Sequence, residues 1–110
     1  MANTKQLEAL RKGNSYWKYW RCIYPKDPVD LRGANLEGED LSGAVLWYAD
    51  LEGANLFRAN LRGANLIGAN LNRANLTEAN LSWADLDGTH IDGATLEGAV
   101  LTDARFRPAN

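Results

Sequence analysis

The fold of this chain is decided by residues 54–78, which read ANLFR ANLRG ANLIG ANLNR ANLTE. The leucine recurs at every fifth position, and the same spacing extends from Leu31 to Phe106. Of these sixteen positions, fourteen hold leucine, one holds Ile91 and one holds Phe106. Alanine usually stands two residues before each position and asparagine or aspartate one residue before it, so the repeat is Ala-Asn/Asp-Leu-x-Gly.

A period of five fits neither regular secondary structure. On an α-helix the leucines would spiral around every side, because each residue turns the chain by about 100°. On a strand alternate leucines would fall on opposite faces. A chain that bends once per repeat can turn every leucine inward. Such fixed-period similarity predicts a solenoid, whose units bury their apolar side by stacking on neighbours.

The glycines indicate where the chain bends. Nine of the ten stand two residues after a leucine position. A β-turn with a positive φ at its third residue favours glycine or asparagine there. The sequence therefore predicts a corner in each repeat.

Residues 29–110 resemble the pentapeptide-repeat family, on the evidence of the runs from Ala54-Asn55-Leu56 to Ala74-Asn75-Leu76. The Trp17-x-x-Trp20-Arg21 element is similar to the segment that precedes the coil in many bacterial members. The resemblance implies an all-β solenoid: a right-handed quadrilateral β-helix of about four coils, with twenty residues in each. The chain departs from the family pattern at Glu39, Val45, Thr89, His90, Thr95, Val100 and Arg105.

The first 28 residues break the period and are predicted to form a short α-helical cap, with the β-helix occupying residues 29–110. Asn3 begins a capping signal for one helix, and Ser15 is the expected N-cap of a second that runs to about Tyr24. The first coil needs such a cover, because terminal solenoid units need a different outer face. The alternative for this basic, aromatic segment is a helix that lies on a membrane surface.

The charges are divided unevenly along the chain. Residues 1–28 hold six basic and two acidic side chains, a net charge of +4, and residues 29–110 hold six basic and twelve acidic ones, a net charge of −6. The acidic coil disfavours nucleic-acid binding. Some members of the family mimic duplex DNA and act on type II topoisomerases. Three faces of this coil carry a net charge of only −2 each and the fourth is balanced, whereas DNA of the same length carries roughly a dozen charges.

Residues suited to catalysis are few. His90 is read as a surface substitution in an Asn/Asp column, and Cys22 is expected to pack among the helix aromatics. We expect no enzyme activity, no cofactor and no metal site. The single cysteine fits a reducing compartment, and no apolar run approaches twenty residues. We therefore expect a cytoplasmic protein without membrane attachment.

Large apolar side chains at outward positions are the candidate protein-binding residues. Trp47 and Ile67 occupy successive outward sites on one face, Tyr48 stands at the adjoining corner, and Phe57 and Trp83 lie on other faces. The alternative for Trp47 and Tyr48 is that the cap covers them.

The sequence thus predicts a non-catalytic structural or protein-interaction scaffold for a protein partner that it does not identify. The open C-terminal coil is a candidate site for homodimer formation. The alternative function is a DNA-mimicking modulator of a type II topoisomerase such as gyrase.

Overall fold

The computed structural model describes residues 2–107 and residue 109, and begins with two helices. Helix α1 spans Thr4–Arg11, and the Asn3 side chain accepts a hydrogen bond from the backbone N–H of Gln6 at 3.0 Å, as the capping signal predicts. Helix α2 spans Asn14–Ile23. The prediction of Ser15 as its N-cap is wrong. Gly13 is the N-cap, with φ 110° and ψ 166°, a conformation that glycine adopts readily, and Ser15 lies inside the first turn of the helix.

The rest of the chain winds into a coil. Parallel bridges, each one residue long, join residues twenty apart, from Asp30–Asp50 to Asp85–Arg105. Four bridges for each twenty residues give the coil four sides. Between adjacent coils the backbone N–H of Leu51 donates to the carbonyl of Asn70 at 2.8 Å, and the same pattern recurs at successive repeats. The predicted right-handed quadrilateral β-helix with its helical cap is confirmed.

The side chains of the repeat divide into an inner and a corner set. Every leucine from Leu31 to Leu86 points into the bore and is buried, together with the alanines of the same coils. The asparagines hold the corners: the side-chain oxygen of Asn70 accepts the backbone N–H of Asn72 at 3.0 Å, and its amide donates to Asp50 one coil away at 3.2 Å. These contacts satisfy backbone groups that a bend leaves without a ladder partner.

The corners require a left-handed backbone. All nine corner glycines have φ between 67° and 74°, as predicted. Six other corners have the same left-handed φ although they carry a side chain, which costs about 1–2 kcal/mol each. They are Tyr48, Arg58, Arg73, Glu78, Trp83 and Asp103. Three of them carry ion pairs: Arg58 bonds Glu78, itself a corner, at 2.8 Å, and Arg73 bonds Glu52.

At the Tyr48 corner the side chain makes a ring contact in place of an ion pair. Its ring lies over Gly68, one coil further on, so that a methyl group at Gly68 would collide with the ring. At Gly63, a corner of the same coil with almost the same φ of 68°, a methyl group would meet nothing within 4 Å. The absence of a side chain at Gly68 therefore makes room for Tyr48.

The cap supplies hydrogen bonds that a preceding coil would otherwise provide. In the ladder each carbonyl before a leucine position accepts a bond from the coil before it, which the first coil lacks. The backbone N–H of Asn3 donates to Asp30 at 2.7 Å, the guanidinium of Arg11 to Asn35, and the indole of Trp17 to Val45 at 2.7 Å. The cap thus satisfies three carbonyls at the end of the solenoid.

Gln6 ties the cap to the entry of the coil. This buried side chain accepts the backbone N–H of Asp30 and donates to the carbonyl of Pro28, both at 2.8 Å. Arg11 also pairs with Glu39 at 3.5 Å. Glu39 replaces the alanine of the repeat, so this departure from the pattern has its partner in the cap.

Replacement of Gln6 by leucine should destabilise the protein, because it leaves the N–H of Asp30 and the carbonyl of Pro28 without partners. An unsatisfied buried group costs about 1–3 kcal/mol, so we expect a loss of roughly 2–4 kcal/mol in the free energy of unfolding. Guanidinium denaturation followed by circular dichroism measures it. Lys5→Leu, at the exposed neighbouring position, is the control, and equal stability of the two variants would contradict this role of Gln6.

Gly68→Ala and Gly63→Ala form a matched pair at the corners. Both place a side chain at a positive φ, and each should lose about 1–2 kcal/mol for that reason. Gly68→Ala should lose more, because its methyl group displaces the Tyr48 ring. In the Tyr48→Gly background the difference between the two alanine variants should disappear. Thermal unfolding of these variants, with wild type and Tyr48→Gly as references, tests this coupling, and a difference that persists without Tyr48 would refute it.

Candidate protein-interaction surfaces

Trp47, Tyr48 and Ile67 lie together on one side of the coil, and we call them the aromatic patch. The Trp47 and Tyr48 rings meet edge to face with their centres 6.1 Å apart. The backbone N–H of Tyr48 donates to the carbonyl of Ile67 at 2.7 Å, which fixes the corner beside the next coil. Tyr48 is 70% exposed and Trp47 is 39% exposed, whereas Ile67 is half-buried. The structure therefore presents these three residues as one surface.

The cap contacts this patch at Trp47. The guanidinium carbon of Arg21 lies 5.5 Å from the centre of the Trp47 ring, and Nη1 of Arg21 donates to the carbonyls of Tyr24 and Asp27. Trp17 is fully buried against the first coil. The expectation that the cap covers both aromatic residues is thus wrong for Tyr48. It is met only in part for Trp47, because the covering group is an arginine.

The other two candidate residues lie apart from the patch. Phe57 is half-buried on another face, with the guanidinium carbon of Arg58 4.9 Å from its ring centre. Trp83 occupies a left-handed corner with φ 63° and is 58% exposed. Among the residues that the structure describes, Trp83 has no aromatic or cationic stacking partner. The structure thus groups three of the five candidates and separates two.

The far end of the described coil is apolar and open. Leu101 and Phe106 are 42% and 41% exposed, although their counterparts one coil earlier are buried. Together with residues of the preceding coil they line a cavity of about 20 Å³, and all of the lining residues are apolar. Within residues 2–107 and 109, the backbone N–H groups of Leu96 and Leu101 have no ladder partner. This end therefore offers both apolar area and unpaired donors.

Arginines neutralise many of the acidic groups on the coil. A hydrogen bond from Arg32 lowers the pKa of Asp30 to about 2. Arg73 lowers the pKa of Glu52 in the same way. Arg107 bonds Asp87 at 2.8 Å and lowers the pKa of that carboxyl group. Asp87 also pairs with Arg105 at 3.1 Å. The ion pairs spread over several faces, so acidic and basic charges alternate along the surface.

The groups that could take part in chemistry are scattered. His90 is exposed in the column of Asp50 and Asn70, beside Tyr48. Cys22 is exposed at the end of α2, so the prediction that it packs among the helix aromatics is wrong. In the described part of the chain, no three His, Cys, Asp or Glu side chains form a group that could hold a metal ion.

Neither helix in that part of the chain has the length and apolar character needed to cross a membrane.

The comparison with family models gives one clear result. A model described as pentapeptide repeats matches residues 29–63, 54–93 and 79–110, with eight copies. The matches together include the whole coil and exclude the two helices. None of the curated protein sequences is significantly similar to this chain.

Several solved structures are similar to this coil. Rfr23, a pentapeptide repeat protein from the cyanobacterium Cyanothece, is 40% identical with a TM-score of 0.70, and the match covers 71% of this chain and 54% of Rfr23. HetL from the cyanobacterium Nostoc is 44% identical with a TM-score of 0.67, over 70% of this chain and 36% of HetL. A protein from the thylakoid lumen of Arabidopsis thaliana is 42% identical with a TM-score of 0.66, over 67% of this chain and 51% of its own.

The matches span only about one third to one half of the length of these three proteins. The likeness therefore concerns the coil and does not extend to everything that the longer proteins do. The repeat in the sequence, the twenty-residue register of the bridges and the family model agree over residues 29–110. On this evidence the chain belongs to the pentapeptide repeat family.

Proposed function

We propose that this protein is a non-catalytic scaffold and that the aromatic patch is the surface through which it binds a protein partner. The observation that carries the proposal is the exposed Tyr48 ring, held in a left-handed corner above Gly68. Residues in such strained conformations cluster at functional sites, where a constraint other than stability keeps them. Tyrosine and tryptophan are also the residues that contribute most to binding energy in protein interfaces.

The rigid coil suits a binding role of this kind. Trp47 and Ile67 stand in one column, one coil apart, and adjacent coils are spaced like paired strands at about 4.8 Å. The ladder fixes the backbone at both residues, so little backbone conformational entropy is lost on binding. HetL is involved in the regulation of heterocyst differentiation. A role in regulation through a protein partner fits the present coil as well.

The alternative of a DNA mimic that modulates a type II topoisomerase has less support. A mimic needs a continuous acidic face, with about one charge per 1.7 Å along the axis. The pairs of Arg32 with Asp30, Arg73 with Glu52, and Arg107 with Asp87 interrupt the acidic groups. No observation favours this function over partner binding.

The double variant Trp47→Glu, Ile67→Glu should lose its partner. Immobilised wild type and variant are compared for proteins captured from a lysate of the source organism, and the variant should capture at least about tenfold less of a specific partner. Phe57→Glu, Trp83→Glu is the control, because it adds the same charge on other faces. Circular dichroism verifies that all three proteins are folded. A partner that the patch variant retains, or that the control loses equally, would contradict the proposal.

We also propose that two copies associate end to end through the open coil, because Leu101 and Phe106 expose apolar surface beside unpaired backbone donors. Size-exclusion chromatography with light scattering should then show a dimer that Leu101→Glu converts to a monomer. Val100→Glu is the control: this adjacent residue is equally exposed but belongs to an outward bridge position. A wild type that is monomeric at every concentration, or a dimeric Leu101→Glu, would exclude this interface.

A further inference from the structure

Helix α2 carries a stripe of apolar side chains on its outer surface. The stripe follows the helical period i, i+3, i+4, i+7, i+8 and consists of Tyr16, Tyr19, Trp20, Ile23 and Tyr24. All five are exposed except Trp20, which is half-buried. A surface helix normally turns its apolar stripe toward the core. Here Trp17 is the fully buried residue of α2 and Trp20 packs partly against the core. The four exposed side chains of the stripe are left for another contact.

A groove runs between the two helices beside this stripe. It encloses about 330 Å³ and is lined by Lys5, Glu8, Ala9, Lys12, Tyr16, Trp20 and Tyr24. The Trp20 and Tyr24 rings lie with their centres 4.6 Å apart, and the ammonium of Lys12 lies 4.6 Å from the centre of the Tyr16 ring. The indole N–H of Trp20 is buried and has no acceptor within the described residues. We call this the cap groove.

The cations of the cap divide by residue type. Both arginines turn toward the chain itself: Arg11 to Asn35 and Glu39, and Arg21 to the carbonyls of its own loop. The four lysines differ in having no carboxylate or carbonyl partner among the described residues, although Lys12 stacks on Tyr16. Among residues 2–107 and 109, none of them takes part in an ion pair; they are Lys5, Lys12, Lys18 and Lys26. The net charge of +4 on this segment is therefore carried largely by unpaired ammonium groups on the outside.

We propose that the cap groove binds an acidic amphipathic segment of a partner protein. Its carboxylates would pair with Lys5 and Lys12, and its apolar side chains would pack on Tyr16, Trp20 and Tyr24. The groove is concave and bounded by two helices, which suits a protruding chain segment better than a flat bilayer. This surface is distinct from the aromatic patch, and the proposal does not depend on it.

A fluorescently labelled amphipathic peptide, with leucine and phenylalanine on one face and glutamate on the other, provides the test. Its fluorescence anisotropy should rise on addition of the protein, and the affinity should fall as salt is added. The same peptide with lysine in place of glutamate should not bind. Binding of both peptides alike, or of neither, would overturn the proposal.

Two charge reversals of equal size locate the contact. Lys5→Glu, Lys12→Glu should weaken binding of the acidic peptide by at least about tenfold, because two attractive pairs become repulsive. Lys18→Glu, Lys26→Glu changes the net charge equally outside the groove lining and should change the affinity by less than about threefold. Lys5→Gln, Lys12→Gln, a milder change, should give an intermediate loss. Equal losses in the two reversed variants would indicate nonspecific attraction and refute the groove.

A membrane surface is the competing partner, and vesicles separate the two. Phosphatidylcholine vesicles with and without phosphatidylglycerol are sedimented with wild type and both reversed variants. We expect no cosedimentation with either vesicle at concentrations at which the peptide binds. Cosedimentation with the anionic vesicles that both variants lose equally would assign the stripe to a bilayer and overturn the proposal. The aromatic patch is unchanged in every variant, so these outcomes are independent of its function.

Discussion

The ladder of backbone hydrogen bonds in a twenty-residue register is the constraint on which the rest of this structure depends. The N–H of Leu51 reaches the carbonyl of Asn70 only when each coil contains four complete repeats. A slip of one residue would move every leucine from the bore to an outward position. The register therefore favours a small residue two before each leucine, usually alanine, and a left-handed corner in each repeat, where glycine stands at nine positions.

A ladder of this kind pairs the backbone donors and acceptors of its inner coils, but it leaves those of the first and last coils without a partner coil. At the first coil the missing partners are replaced one by one, with Asn3, Arg11 and Trp17 donating to three separate carbonyls. One added strand could not do this, because the carbonyls lie on different sides of the coil. Two short helices with varied side chains can. The cap is thus fitted to the end of the coil by specific hydrogen bonds as well as by apolar cover, whereas the described end at Leu101 remains open.

The repeat made the bore, the corners and the columns predictable, because a single period fixes the position of every inward residue. The ends of elements were less predictable. Ser15 has the chemistry of an N-cap, but the backbone of Gly13 sets the helix start. Cys22 stands among aromatic residues in sequence but on the exposed side of α2. The contact of Tyr48 with Gly68 joins two residues twenty apart, and it depends on a ring orientation that spacing alone does not give. The sequence shows that Glu39 departs from the alanine of the repeat, but it does not show that Arg11 is the partner of Glu39.

The outward positions carry information that the fold does not use. The bore and the ladder need only leucine, alanine and the backbone, so an outward side chain that strains the chain must be kept for another reason. Arg58 and Arg73 regain ion pairs at their left-handed corners, and Tyr48 regains contact with Gly68. Trp83 regains no stacking partner among the described residues, although a tryptophan there costs as much. A glycine would adopt each of these corners with less strain, so Trp83, which has no such compensating contact among the described residues, is the corner whose side chain the fold explains least.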